Sequence, residues 1–155
     1  MTKKTWKIRK AELSDAHGLS QCMYNAYSRL RNKLGGQDLP PMQLDYQQEI
    51  RSYPVWTAYS ADTLVGGLIL LHEADYTTIA NIAVHPDFQG HGLGRGLIEF
   101  ALKQARLHGS REVRLVTHAL LTENISLYSY LGWKEYQRSG SKVLMRKALP
   151  DNHTM

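Results

Sequence analysis

The sequence predicts one α/β domain built on a mixed sheet with helices on its faces. Three observations carry that prediction. Apolar residues recur at three-and-four spacing between residues 16 and 30 and again between 93 and 105, as amphipathic helices require. Apolar and β-branched runs near 55–59, 64–71, 77–84 and 112–117 lie between turn-forming residues, as strands do. At 155 residues, 43% hydrophobic and 21% charged, the chain is long enough to bury an ordinary core and too apolar for wholesale disorder.

Taken in order, residues 5–10 read as a short edge strand whose lysines discourage edge-to-edge pairing. Ser14 is placed to cap a helix starting near Asp15, whose apolar positions are Ala16, Leu19, Cys22, Met23, Ala26, Tyr27 and Leu30. Gly35-Gly36 ends it, Pro40-Pro41 keeps it from resuming, and a second short helix covers about 43–51. Val55–Tyr59 and Leu64–Leu71 form a hairpin around Ser60-Ala61-Asp62-Thr63, and Thr77–Val84 is a third strand, stopped at His85-Pro86-Asp87. A helix to about His108 follows, with Gly109 as its stop. Glu112–Thr117 is the next strand. Thr122 is placed to cap a helix to about Leu131, ended by Gly132. Trp133–Gln137 and Lys142–Arg146 close a domain over 1–149, and 150–155 read as a frayed tail. The order is strand, two helices, three strands, helix, strand, helix, two strands.

Bulk properties narrow the function. A single cysteine, Cys22, rules out an internal disulfide framework and, with no signal-peptide pattern, points to the cytoplasm. The apolar run Leu64–Leu71 is too short to span a bilayer. A net charge of +5 favours anionic partners, nucleic acid or a polyphosphate cofactor. The cluster Lys3, Lys4, Lys7, Arg9 and Lys10 reads as a solvated strand edge, which gives nucleic acid little support.

The chemistry concentrates at Gly90, Gly92, Gly94 and Gly96, which alternate between a strand and a helix. Glycine permits positive φ and a close backbone approach. The helix start adds unpaired N–H groups and partial positive charge. Together they make an anion cradle. It is not a P-loop, because Gly94 is followed by Arg95-Gly96 and not by Lys-Ser or Lys-Thr. Nor is it a dinucleotide fingerprint: counting GxGxxG from Gly90 or Gly92 ends on Arg95 or Leu97.

The stretch Ile82-Ala83-Val84-His85-Pro86-Asp87-Phe88-Gln89-Gly90-His91-Gly92-Leu93-Gly94 resembles the acetyl-CoA motif of the GNAT superfamily of N-acetyltransferases, with Gln89, Gly92 and Gly94 at the Gln/Arg-x-x-Gly-x-Gly/Ala positions. Downstream, Asn124-Ile125-Ser126-Leu127-Tyr128-Ser129-Tyr130-Leu131-Gly132-Trp133 looks like the family's second segment, in the right order and at the right spacing. The resemblance covers nearly the whole chain, most strongly 78–134.

It implies a mostly antiparallel, splayed sheet with about four helices, and an acetyl-CoA-dependent N-acetyltransferase with no metal. Backbone groups of Ile82, Ala83 and Val84 would meet the pantetheine arm, with Val84 N–H polarising the thioester carbonyl. Gln89, Gly90, His91, Gly92, Leu93 and Gly94 would hold the pyrophosphate. Arg95 would add charge, or is a solvated helix-start arginine. Tyr128 takes the place of the tyrosine that protonates the departing thiolate, or packs as an amphipathic aromatic. Where some relatives carry a glutamate this chain has Val116, so the base is open, with His118 and Asn81 ranked ahead of Glu73, which with His72 ends a neighbouring strand. His118 has the alternative of a loop-end histidine, and Asn81 that of satisfying backbone groups. The family's asparagine seven residues before the tyrosine is Leu121 here, so Asn124 matches only in part.

The resemblance further implies an acceptor that is a primary amine, on a small molecule, an amino acid or a peptide. Its wall would be drawn from residues 27–46, whose apolar members also have the plain alternative of packing helices on the sheet. Cys22, placed away from both motifs, implies direct transfer. A homodimer through 133–147 and a non-catalytic acyl-CoA-binding module complete the expectations.

Overall fold

The computed structural model describes residues 5–150. Among them lie four α-helices and a seven-stranded, mostly antiparallel sheet in the order β1-β2-β3-β4-β5-β7-β6. The tail expected over 150–155 falls, beyond Pro150, outside the described residues, as do Lys3 and Lys4. No described helix is long and apolar enough to cross a membrane. The chain forms two compact units, one of residues up to Leu70 with Asn81–Glu99, the other of Leu71–Ala80 with residues from Phe100 on.

In the first unit β1 (Lys7–Lys10) pairs antiparallel with β2 (Val55–Ser60), and β2 with β3 (Thr63–His72), through a bulge at Ala58/Tyr59. Helix α1 (Ala16–Lys33) buries Leu19, Cys22 and Met23, the predicted apolar stripe. Two successive glycines of β3 set the layers. A Cβ on Gly67 would stand 2.4 Å from Leu19 Cδ1, so α1 lies directly on that face. A Cβ on Gly66, on the opposite face, would meet Leu93 and Leu97 of α3 (Leu93–His108) at 3.1 and 3.3 Å.

In the first unit two helix starts differ from expectation. Ser14 is exposed and does not cap α1; a 3-10 turn at Leu13–Asp15 precedes the helix, and the Asp15 carboxylate accepts the Glu12 N–H at 2.8 Å. Asp15 also binds Arg9 and the Tyr59 hydroxyl, a set of partners that a serine hydroxyl cannot hold. Helix α2 (Tyr46–Ser52) starts later than residue 43, because Asp45 accepts the Gln48 N–H and Pro40-Pro41 open a 3-10 turn of their own.

The second unit holds Tyr76–Ala80 of β4 (Tyr76–Val84), with β5 (Glu112–His118), α4 (Thr122–Tyr130), β6 (Lys134–Ser139) and β7 (Lys142–Ala148). β4 and β5 are parallel, in register from Tyr76↔Glu112 to Ile79↔Leu115, where the register ends. β7 pairs antiparallel with β5 over its whole length and with β6 through a bulge at Glu135/Gln137. Val113, Leu115, Val143 and Met145 are buried on one face of these strands. Thr122 is the first residue of α4 and not its cap; Leu121 occupies the cap position.

Candidate active site

The end of β4 and the glycine turn form the centre of the first unit's site. His85 N–H donates to Val65 O on β3 at 2.8 Å. Strand alternation then turns the N–H and C=O groups of Val84 and Ile82 to the other edge of β4. Both carbonyls there are met by side chains: Tyr27 OH donates to Ile82 O at 3.4 Å, and Gln89 Nε2 to Val84 O at 3.3 Å. Gln89, the first motif residue, thereby ties the turn back to the strand that precedes it. Tyr27, which the sequence places on the apolar face of the first helix and in the acceptor-wall stretch, reaches this edge as well; a contact so distant in the chain leaves no local pattern. Ala83 points into the core at 5% exposure.

A short 3-10 turn, Pro86–Phe88, leads into the glycines, with His85 Nδ1 accepting the Asp87 N–H. Gly90 and Gly92 have φ of +81° and +88°, a conformation open to glycine at little cost. Gly96 serves a different purpose from the one predicted. A Cβ there would be 3.3 Å from the Trp6 indole, so this glycine admits a packed ring and not a ligand. Among the described residues, the N–H groups of Gly90, His91, Gly92, Leu93, Gly94 and Arg95 donate to no protein acceptor, whereas Gly96 N–H already bonds Gly92 O. They cluster at the positive end of α3, where an anion is favoured. Leu93 is anchored in the core at 1% exposure, which fixes the first turn of the helix. Arg95 is exposed, and its Nε meets Glu99 at 3.3 Å, so part of its charge is already paired. Asn81 is half-buried, and its side chain has no protein partner among the described residues.

Cys22 is closer to the first motif than its place in the sequence suggests, because its thiol meets the His85 backbone. Burial nevertheless pushes the thiol up to about 12, against that opposing hydrogen bond. A protonated, enclosed thiol is a poor nucleophile. The expectation of no acetyl-cysteine therefore rests on burial and not on distance.

The second unit holds Tyr128, His118, Asn124 and Glu73. Tyr128 is 8% exposed, with Trp133 edge-on at 5.7 Å. Burial raises its pKa, so the phenol stays protonated at neutral pH, and among the described residues its hydroxyl bonds no protein group. His118 ends β5, and its Nδ1 accepts the Leu120 N–H at 3.0 Å. When neutral it therefore carries its proton on Nε2, which makes that nitrogen a donor. Asn124 is exposed near the start of α4, and Glu73 lies exposed in the turn before β4.

Residues 21–133 match the family model described as Acetyltransferase (GNAT) family. Over 61 residues the chain is 39% identical to the ribosomal protein bS18-alanine N-acetyltransferase of Escherichia coli K12; the match covers 39% of this chain and spans 41% of the length of that relative. The fold is similar to that of a PaiA N-acetyltransferase from Thermoplasma acidophilum solved with coenzyme A, at a TM-score of 0.82 and 21% identity, covering 93% of this chain and 99% of that one. It is also similar to the ribosomal-protein-S18-alanine N-acetyltransferase structure from Escherichia coli, at a TM-score of 0.73 and 19% identity, covering 97% and 99%. With the family model spanning most of its length, the chain belongs to the GNAT family of acetyltransferases.

Proposed function

We propose that this protein is an acetyl-CoA-dependent N-acetyltransferase that moves the acetyl group directly to a primary amine of a small molecule, an amino acid or a peptide. The observation that carries the reading is the run of N–H groups from Gly90 to Arg95 at the start of α3 that meet no acceptor among the described residues, in a chain of an acetyltransferase family. Acetyl-CoA supplies the activated acetyl thioester when bound. The N–H groups of the glycine turn hold its pyrophosphate, with Arg95 beside them. Ile82 and Val84 offer backbone N–H groups along the free edge of β4, and Val84 N–H stabilises negative charge on the thioester oxygen. Tyr128 gives its proton to the departing sulfur, a role that its raised pKa suits.

The amine must lose a proton to attack. Asn81, whose amide meets no protein group among the described residues, holds the water that takes it, while His118 acts as a donor through Nε2. Cys22 offers no thiolate for an acetyl-enzyme, which supports transfer in a ternary complex. A lone, reduced Cys22 also supports a cytoplasmic setting.

The test is coenzyme A release from acetyl-CoA across a panel of amines, with Tyr128→Phe beside the parent. Amine-dependent release is expected, with kcat falling on the order of 100-fold in the variant and acetyl-CoA affinity held. Equal kcat would reduce Tyr128 to packing against Trp133. Tight acetyl-CoA binding without release for any amine would remove the enzymatic reading.

A further inference from the structure

The face of β5, β7 and β6 opposite the buried Val113, Leu115, Val143 and Met145 is open. Among the described residues it carries Arg114, Arg146, Lys134 and Lys142 against a single carboxylate, Glu112. Arg114 is built in: its Nε meets Glu112 at 2.6 Å, and its guanidinium lies 3.8 Å from the Tyr76 ring centroid and 5.5 Å from that of Tyr136. Arg146 covers Tyr136 in turn, at 5.1 Å. Among the described residues Arg146, Lys134 and Lys142 meet no carboxylate. Beside them Val116 stands 55% exposed in mid-strand, where a covered sheet would bury it.

We infer that this face of the second unit is a docking surface for an acidic peptide segment of a partner protein, one that presents carboxylates together with apolar side chains. The charge balance selects an anion. Guanidinium groups already lie against the tyrosine rings, so the face offers fork-shaped donors, which suit carboxylates, more than bare aromatic planes for stacked bases. Val116 gives an apolar side chain somewhere to rest. A second copy of this chain related by two-fold symmetry would bring an equally cationic patch against this one. The inference uses none of the residues assigned to acetyl transfer, although His118 shares the face, opposite Lys142.

The experiment is fluorescence anisotropy of the full chain with a short labelled peptide of Glu and Leu, its Lys and Leu counterpart, and a single-stranded oligouridylate. The double variant Lys134→Glu/Arg146→Glu is run beside the parent, with Lys134→Ala/Arg146→Gln in case charge reversal disturbs folding. The acidic peptide is expected to bind in a salt-sensitive way, and about tenfold or more weaker to either variant, while acetyl-CoA affinity measured by calorimetry stays unchanged. No binding of the acidic peptide, equal binding by the variants, or tighter binding of the oligouridylate would overturn the inference. So would a dimer in sedimentation that both variants dissolve.

Discussion

Replacing Gly92 by alanine isolates what the backbone of the glycine turn contributes. Its φ of +88° is a region that a side chain occupies at a cost of roughly 1–2 kcal/mol. Space is not at issue, because the nearest atom to a new Cβ is on Trp6, at 3.6 Å. Gly94 is the internal control. It lies in the first turn of α3 with no positive φ, and its Cβ would make an ordinary 3.7 Å contact with Val84. Alanine there is favoured by up to about 1 kcal/mol of helix propensity. The two variants should thus differ by roughly 1–3 kcal/mol in urea denaturation. At about 2–4 °C per kcal/mol for a chain of this size, Gly92→Ala should melt roughly 2–8 °C below the parent and Gly94→Ala no lower than it. If the turn relaxes instead, the Gly92 N–H leaves the anion site and acetyl-CoA affinity in calorimetry falls roughly tenfold or more. Equal damage by Gly94→Ala, or a Gly92→Ala variant unchanged in both stability and affinity, would refute the reasoning.

Three further outcomes follow from the packing. Gly67→Ala should cost about 1–3 kcal/mol in thermal denaturation, since its Cβ would overlap Leu19 in a closed core; an unchanged Tm would contradict the layer contact. Cys22 should resist a thiol reagent in the native state at pH 8, and Cys22→Ala should keep full turnover; rapid labelling would show the thiol to be accessible. Burial raises the Asp15 carboxyl, but the Glu12 N–H, Tyr59 and Arg9 outweigh it and hold it below its ordinary 3.8. Its contribution, on the order of 1–2 kcal/mol, is therefore present above that value and lost as pH falls through the lower folded one. The parent's advantage over Asp15→Asn should fade below about pH 4, and an advantage that persists at pH 2 would be inconsistent with this.

The geometry of the glycine turn was legible in the sequence because it is local. Gly90 and Gly92 mark positive φ, the helix start follows at once, and Gln89 lies next to the strand it ties down. The order of strands and helices was legible for the same reason, since Gly35, Gly109 and Gly132 end elements within a residue or two of their place in the chain. What escaped depends on partners far apart in sequence. Gly96 looks like another ligand glycine until Trp6 is seen to occupy its space. Ser14 looks like a cap until Arg9 and Tyr59 converge on Asp15. Cys22 seems remote from the motif until α1 is laid on β3 and brings it to His85. In each case a long-range contact overrode a sound local signal.

The indole of Trp6 rests against both Gly92 and Gly96, with the Phe88 ring edge-on at 6.2 Å. Indole emission shifts with the polarity and charge around the ring. Trp6 is therefore an optical gauge already mounted on the turn: with Trp56 and Trp133 replaced by phenylalanine, its emission alone would follow, in real time and without a label, the arrival of an anion at α3.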